Sequence, residues 1–338
     1  MNDINRKIWK RYLIYNRTRE YYNYRVNQIS NTVAKKPYIP KYTKFANRRI
    51  LSFTETNDLI RTAILTRKPF WGGRYGWAEL QAMVQVINKS LGLNHDFESA
   101  LEILCNNAGF FPDNSIGAED FTQLMLDAYP QMDLHAIWPQ FMEDYFIDQR
   151  SADNMNLTLL GELEPWNVKR YTDRTEDIEF WTSSLKQKRV LVIHPFADTI
   201  REQYKKKNRI FERLVSSEKI LPSFDLLTLK AVQTSAGERD NRFNTWFDAL
   251  KYMTDECRKI DFDVAIVGCG AYGFPLSYEI KKMGRVAIHL GGATQLMFGI
   301  MGKRWENDFK DIVNDSWTRP KAYEKIKNSA LVEDSCYW

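Results

Sequence analysis

The segment DVAIVGCGAYGFPL, residues 263–276, decides the reading of this chain. It runs from an apolar, β-branched stretch into Gly268, Gly270 and Gly273, spaced G-x-G-x-x-G. A glycine loop between strand and helix lets backbone N–H groups approach a phosphate, and the helix N-terminus adds a favourable dipole. The same glycines also serve a tight strand-to-helix turn that needs φ > 0. Position speaks for a ligand, because open α/β sheets bind ligands at the carboxyl ends of their strands.

Around this segment the pattern repeats. KRVLVIHP (188–195), FDLLTLKAVQ (224–233), FDVAIVG (262–268) and RVAIHLGG (285–292) read as strands. TIREQYKKKNRIFERLV, FNTWFDALKYMTDECRKI and FPLSYEIKKMG read as the helices between them. Continuous apolar strands alternating with helices predict a Rossmann-like α/β fold, a mainly parallel sheet with helices on both faces. Upstream, SFTETNDLIRTAIL reads as a helix capped by Thr54 or Thr56, KPFWGGRYG as a short strand, and WAELQAMVQVINKSLG as an amphipathic helix. Residues from about 95 to 165 are aromatic-rich without a clear strand and read as a helical insertion. The expected organisation is a basic helical arm over 1–50, an α/β domain over 51–310, and a polar helical tail over 311–338.

The 338 residues are 44% hydrophobic and 14% aromatic, enough for a sizeable core. The net charge of +5 hides an asymmetry. Residues 1–50 carry 13 Lys/Arg against Asp3 and Glu20, a net +11, and the rest carry 35 basic and 41 acidic side chains, a net −6. The arm also holds Trp9, Tyr12, Tyr15, Tyr21, Tyr22 and Tyr24. It either packs on the body with its charges solvated or meets an anionic surface, a membrane before a nucleic acid. No nucleic-acid partner is expected. Cys105, Cys257, Cys269 and Cys336 form no C-x-x-C pair, so neither a disulfide framework nor a zinc site is signalled. With no apolar leader and no run of about 20 apolar residues, the expectation is a cytoplasmic protein, with peripheral contact at the inner face of the membrane through the arm.

A dinucleotide fingerprint needs an acidic residue about 20 positions past the glycines, on the ribose. Here the next strand, RVAIHL, ends in His289, and the acid is missing. The glycine loop, with Tyr272 inside it, therefore reads as a phosphate site without the part that specifies NAD. A second loop, HLGGATQ (289–295), ends the neighbouring strand and adds Gly291, Gly292, Thr294 and Gln295. Lys303 and Arg304 follow, either as phosphate ligands or as a solvated basic face. A third cluster, GGRYGWAEL (72–80), offers Arg74, whose planar fork suits a diphosphate. Beside it Glu79 can take a proton or a metal, unless the two form only an ion pair at a helix start. His194, in VIHPFADTI, ends its strand as either a structural hydrogen bonder or a base. Gln233, Thr234 and Ser235 end another strand.

The RYGWAE segment resembles the R-(F/Y)-G-x-x-E motif of bacterial GT-D type glycosyltransferases. VAIVGCGAYGFPLSYEIKKMGRVAIHLGGATQLMFGIMGKRW, with VLVIHPFADTI and the NAGFFP turn upstream, is similar to relatives from capsule and surface-polysaccharide clusters. The likeness spans roughly residues 55–310. It implies a Rossmann-like fold that transfers a sugar from a nucleotide-sugar donor to a glycan or lipid-linked glycan acceptor. It implies that Arg74, Gly76 and Glu79 belong to the donor site. The family's Asp-x-Glu pair holds Mn or Mg and the donor diphosphate, but Trp77 stands here at the Asp position. Glu79 is then the one candidate metal ligand, and Arg74, Lys303 or Arg304 can neutralise the leaving diphosphate instead. Glu79, His194 and His289 are the candidate bases. The competing readings are a non-catalytic nucleotide-sugar-binding protein and an NAD(P)-dependent oxidoreductase.

Overall fold

The computed structural model describes residues 3–34, 43–170, 179–214 and 216–338. Residues 35–42 of the arm lie outside the described residues, as do the side chains of Tyr21 and Tyr24. The strands are β1 Lys44–Phe45, β2 Arg48–Arg49, β3 Phe70–Gly73, β4 Leu134–Ile137, β5 Asn156–Leu159, β6 Arg189–His194, β7 Asp225–Lys230, β8 Val264–Val267 and β9 Val286–His289. The α-helices are α1 Arg6–Ala34, α2 Phe53–Thr66, α3 Trp77–Ser90, α4 Phe97–Ile103, α5 Ser115–Ala128, α6 Glu143–Arg150, α7 Ala197–Tyr204, α8 Lys207–Ile210, α9 Ser217–Ile220, α10 Trp246–Lys259, α11 Gly273–Lys282 and α12 Thr294–Met297.

β1 and β2 form a small antiparallel hairpin. The other seven strands form one parallel sheet in the order β5-β4-β3-β9-β8-β6-β7. The Rossmann-like α/β expectation holds. Side chains alternate across each strand. Leu191, Ile193, Ala265, Val267 and Ala287 enter the core shared with α3, α5, α10 and α11. Val190, Val192, Val264, Ile266, Val286 and Ile288 enter the opposite core with α2 and α7. Both faces are covered, which is why these strands read as unbroken apolar runs.

Three expectations need correction. The segment 95–165 is not purely a helical insertion, because β4 and β5 lie within it and extend the sheet from β3. Each is four residues long and carries polar side chains, His135 in one and Asn156 and Thr158 in the other, so neither presents an apolar run. The TIREQYKKKNRIFERLV segment is no single helix, since α7 ends at Tyr204 and α8 is one short turn. The tail is not a polar helix. Among the described residues it contains only short 3₁₀ turns after α12, and it is bound to the body. Trp317 donates through Nε1 to the Ile210 carbonyl (2.8 Å), and Asn314 Nδ2 to that of Arg209 (2.8 Å). Glu324 accepts the backbone N–H groups of Asp198 (2.9 Å) and Thr199 (3.3 Å), so the tail caps the first turn of α7.

Smaller details differ too. The cap of α2 is Ser52, in a capping box with Glu55, while Thr56 turns inward to Thr158 (2.8 Å). The start of the arm packs on the body. Trp9 is buried, donates to Asn88 Oδ1 (2.8 Å) and lies edge-on to Tyr145 at 4.6 Å. Among the described residues no helix is long and apolar enough to cross a membrane.

Candidate functional site

In a parallel sheet all carboxyl ends fall on one edge, and there a cavity of about 740 Å³ opens. Every strand of the sheet delivers residues to it: Arg74 and Gly76 after β3, Trp138 and Gln140 after β4, Leu160 and Glu164 after β5, and His194 to Phe196 at β6. Val232 to Ser235 follow β7, Gly268 to Gly270 follow β8, and His289, Gly291 and Gly292 end β9. From β8 the chain passes to β9 on one side, while from its neighbour β6 it passes to β7 on the other, so the switch point where α/β sheets open a ligand crevice lies at β6–β8, with β9 and then β3 following it in the sheet.

The three glycines of the fingerprint have packing reasons of their own. The Gly268 N–H is already used, donating to the Ile193 carbonyl (2.9 Å). A Cβ there would meet the Gly291 carbonyl and lie 2.8 Å from Thr294 Cβ. Gly270 has φ +56° and would set a Cβ 2.7 Å from the Ala108 carbonyl oxygen. Gly273 lies under the His289 ring, 2.7 Å from its Cδ2 to an added Cβ, and its N–H closes onto Gly270. Gly268, Gly270 and Tyr272 still line the cavity; Gly273 does not. Tyr272 stacks on Trp246 at 5.0 Å and shares a hydrogen bond with Thr234 (2.9 Å).

The other nominated residues divide as well. Gly291, Gly292, Gln295 and Arg304 line the cavity, whereas Thr294 and Lys303 do not. Thr294 is fully buried and turns back to the Val267 carbonyl (3.4 Å). Lys303 reaches the Asp334 carbonyl (3.3 Å). Arg304 is paired with Glu333. Gln295 donates to the carbonyls of Ile300 (3.2 Å) and Tyr337 (3.1 Å), and its buried Oε1 has no hydrogen-bond partner.

Arg74 is the uncommitted cation. Its guanidinium lies 5.7 Å from the Trp138 ring and close to the Gly291 turn, and it makes no ion pair among the described residues. Trp77 and Trp138, 48% and 57% exposed, form an aromatic rim around it. Gly76 is the N-cap of α3, and the Glu79 carboxylate folds back over it, into space that any side chain at 76 would fill. That contact gives the R-Y-G-x-x-E segment a local physical basis. Burial raises the Glu79 pKa, against the opposing pull of its own N–H and of Arg74.

Both histidines are buried and neutral near pH 7. Burial holds His194 down to about 3, and burial together with the Arg74 charge holds His289 to about 3. His194 Nδ1 accepts the Phe196 N–H (3.0 Å). The neutral ring therefore carries its proton on Nε2 and presents a donor, so the expectation of His194 as a base is corrected. A conjugate acid near 3 also makes His289 a weak base, which leaves Glu79 as the best-suited proton acceptor of the three.

A prediction follows from Glu79. The folded chain binds this proton more tightly than the unfolded one. The stability attached to it is present below the ordinary value of 4.5 and is lost as pH rises through the raised folded value. Glu79→Gln should therefore melt at a higher temperature than wild type at pH 7. The difference should shrink toward pH 4 in thermal melts across that range.

Sequence reasoning missed the wall after β4. Glu143, at the start of α6, accepts from His135 Nε2 (2.9 Å) through Oε1 and from the Gln140 N–H (3.0 Å) through Oε2, all buried. Tyr129 meets His135 Nδ1 at 3.2 Å. This network fixes the loop that carries Trp138 over Arg74. Its signal was a histidine inside a four-residue strand, too short to read. Tyr337 and Trp338 were missed for another reason: they belong to the tail, yet Tyr337 packs on Gly292 and both line the cavity.

Mn or Mg would need several hard donors converging. Among the described residues no group of three His, Cys, Asp or Glu side chains is placed to hold a metal ion, and Trp77 supplies no ligand beside Glu79. The residues do not fit the metal that the resemblance implies. No family model, curated protein or solved structure matches this chain. The fold itself defines a Rossmann-like α/β protein with a cleft along the carboxyl edge of its sheet.

Proposed function

We propose that the protein binds a nucleotide-sugar in this cleft and transfers the sugar to a hydroxyl of a glycan or lipid-linked glycan, in surface-polysaccharide synthesis. The observation that carries the reading is Arg74: an unpaired guanidinium at the carboxyl end of β3, beside a buried carboxylate, in a cavity within the roughly 300–1,000 Å³ range of small-molecule sites. Arg74 holds the diphosphate through its fork. The bond between the anomeric carbon and the phosphate oxygen breaks, and the nucleoside diphosphate leaves with its charge stabilised by Arg74. The acceptor oxygen bonds to the anomeric carbon, and its proton passes to Glu79. The Nε2–H of His194 is a donor for ligand oxygens, and the Trp77–Trp138 rim offers faces for a base or sugar ring.

Titration calorimetry with UDP-sugars, GDP-sugars and NADH tests the reading. A sugar nucleotide should bind and be turned over in the presence of a glycan acceptor, while NADH should give no heat. NADH binding without any sugar-nucleotide response would turn the assignment to an oxidoreductase. Tight sugar-nucleotide binding with no turnover would favour a binding protein, the reading to which Trp77 lends support.

A further inference from the structure

We propose that a second cavity, between α1 and the loop after β4, binds the phosphate headgroup of a membrane lipid, the anchor of the lipid-linked acceptor. The acceptor role rests on the function proposed above; the lipid site stands on its own residues.

This cavity has a volume of about 690 Å³. Its wall includes Arg11, Tyr15 and Arg19 from α1, Lys44 and Phe45 from β1, and Gln140. Asp144 is the one carboxylate on the wall among the described residues, and it is spent. It pairs with Arg19 (3.2 Å) and accepts from Asn16 Nδ2 (3.0 Å). Arg19 is fixed by that pair and lies 5.7 Å from both the Tyr15 and the Phe45 rings. Arg11 and Lys44 make no ion pair among the described residues. The cavity therefore keeps two uncompensated cations above an ordered arginine and aromatic walls. That chemistry suits a phosphate attached to something apolar.

The surroundings point to a lipid as the source of that phosphate. Arg11, Tyr15 and Tyr22 follow i, i+4, i+11 spacing on one stripe of α1, with Ile14 at its edge. Ile14 and Tyr22 are 68% and 66% exposed. A basic helix face with exposed aromatic and aliphatic side chains is what an interfacial helix offers to a bilayer. Gln140 lines both cavities, so the headgroup site and the cleft that holds Arg74 and Glu79 share a wall. A glycan carried on that lipid would enter the cleft from this side.

The test is vesicle flotation of the full chain. Vesicles are phosphatidylcholine alone, or phosphatidylcholine with phosphatidic acid, whose headgroup is a bare phosphate. Wild type should float with the phosphatidic acid vesicles and not with phosphatidylcholine. Arg11→Ala/Lys44→Ala should weaken that binding about 30-fold, taking two surface cations as the measure. Lys7→Ala/Lys10→Ala removes the same charge from the same arm outside the cavity and should change binding by no more than about threefold. All four side chains are exposed, and unchanged circular dichroism melts would confirm intact folding. Equal loss in both double variants would reduce the effect to overall charge and overturn the site. So would indifference of the wild type to phosphatidic acid. Sugar-nucleotide titration of the same proteins separates the two proposals. Arg11→Ala/Lys44→Ala should retain donor binding, and wild type that floats but ignores sugar nucleotides would keep the lipid site while losing its role as acceptor site.

Discussion

Gly268→Ala is expected to destabilise the fold by about 3 kcal/mol, the upper part of the range for forcing an atom into a packed interior. The added methyl would meet the Gly291 carbonyl and Thr294, both fixed in the turn that ends β9. The Gly268 N–H bonds to Ile193 on β6, so the residue cannot retreat without opening the sheet. Urea denaturation of wild type and variant measures the effect. If glycine is required at 268 only to let a phosphate approach, the variant should keep its midpoint and lose ligand binding alone. The first outcome makes this motif chiefly a device for packing two strand ends together, and the second makes it a cradle.

Arg74→Ala should leave the melting temperature nearly unchanged and weaken sugar-nucleotide binding about 100-fold, the scale for removing one partner of a desolvated charge-assisted pair. The guanidinium is half-buried and has no carboxylate partner to strand, so little folding energy is attached to it. Arg74→Lys should recover part of the loss, because it restores the charge and not the planar fork. A second readout does not depend on any ligand. The Arg74 charge helps to depress His289, so the variant should move the His289 titration upward from about 3, visible in the imidazole resonances. Full donor affinity in Arg74→Ala would remove the observation on which the proposed function rests.

The strands read most clearly in advance are those buried on both faces. β6, β8 and β9 announce themselves because neither side of them meets water, and α10 and α11 keep their period. β4 and β5 did not, since LHAI and NLTL are short and partly polar, and their burial depends on partners far along the chain, such as Glu143 for His135. The site was legible at Arg74, Gly76, Glu79 and the strand ends, where residue type and position coincide. Thr294, Gly273 and Lys303 look alike in sequence to true lining residues, and only three-dimensional packing turns them away from the cleft. The tail was misread because its contribution lies in scattered contacts, one tyrosine on Gly292 and one glutamate on α7, which carry no periodicity.

The place of β9 has a consequence for how the chain is made. It is the last strand of the sheet in sequence, yet it pairs on one side with β3 and on the other with β8. Phe70 meets Val286 across that seam, some 216 positions later in the chain. During synthesis β3, β4 and β5 can assemble as one half-sheet, and β6, β7 and β8 as another. Until β9 leaves the ribosome, each half keeps a bare edge where β9 will pair. Such late, non-local closure slows folding and leaves unpaired strands open to wrong partners. The cleft comes into being in that same final step, so a nascent chain that binds donor is one that has already zipped its two halves together.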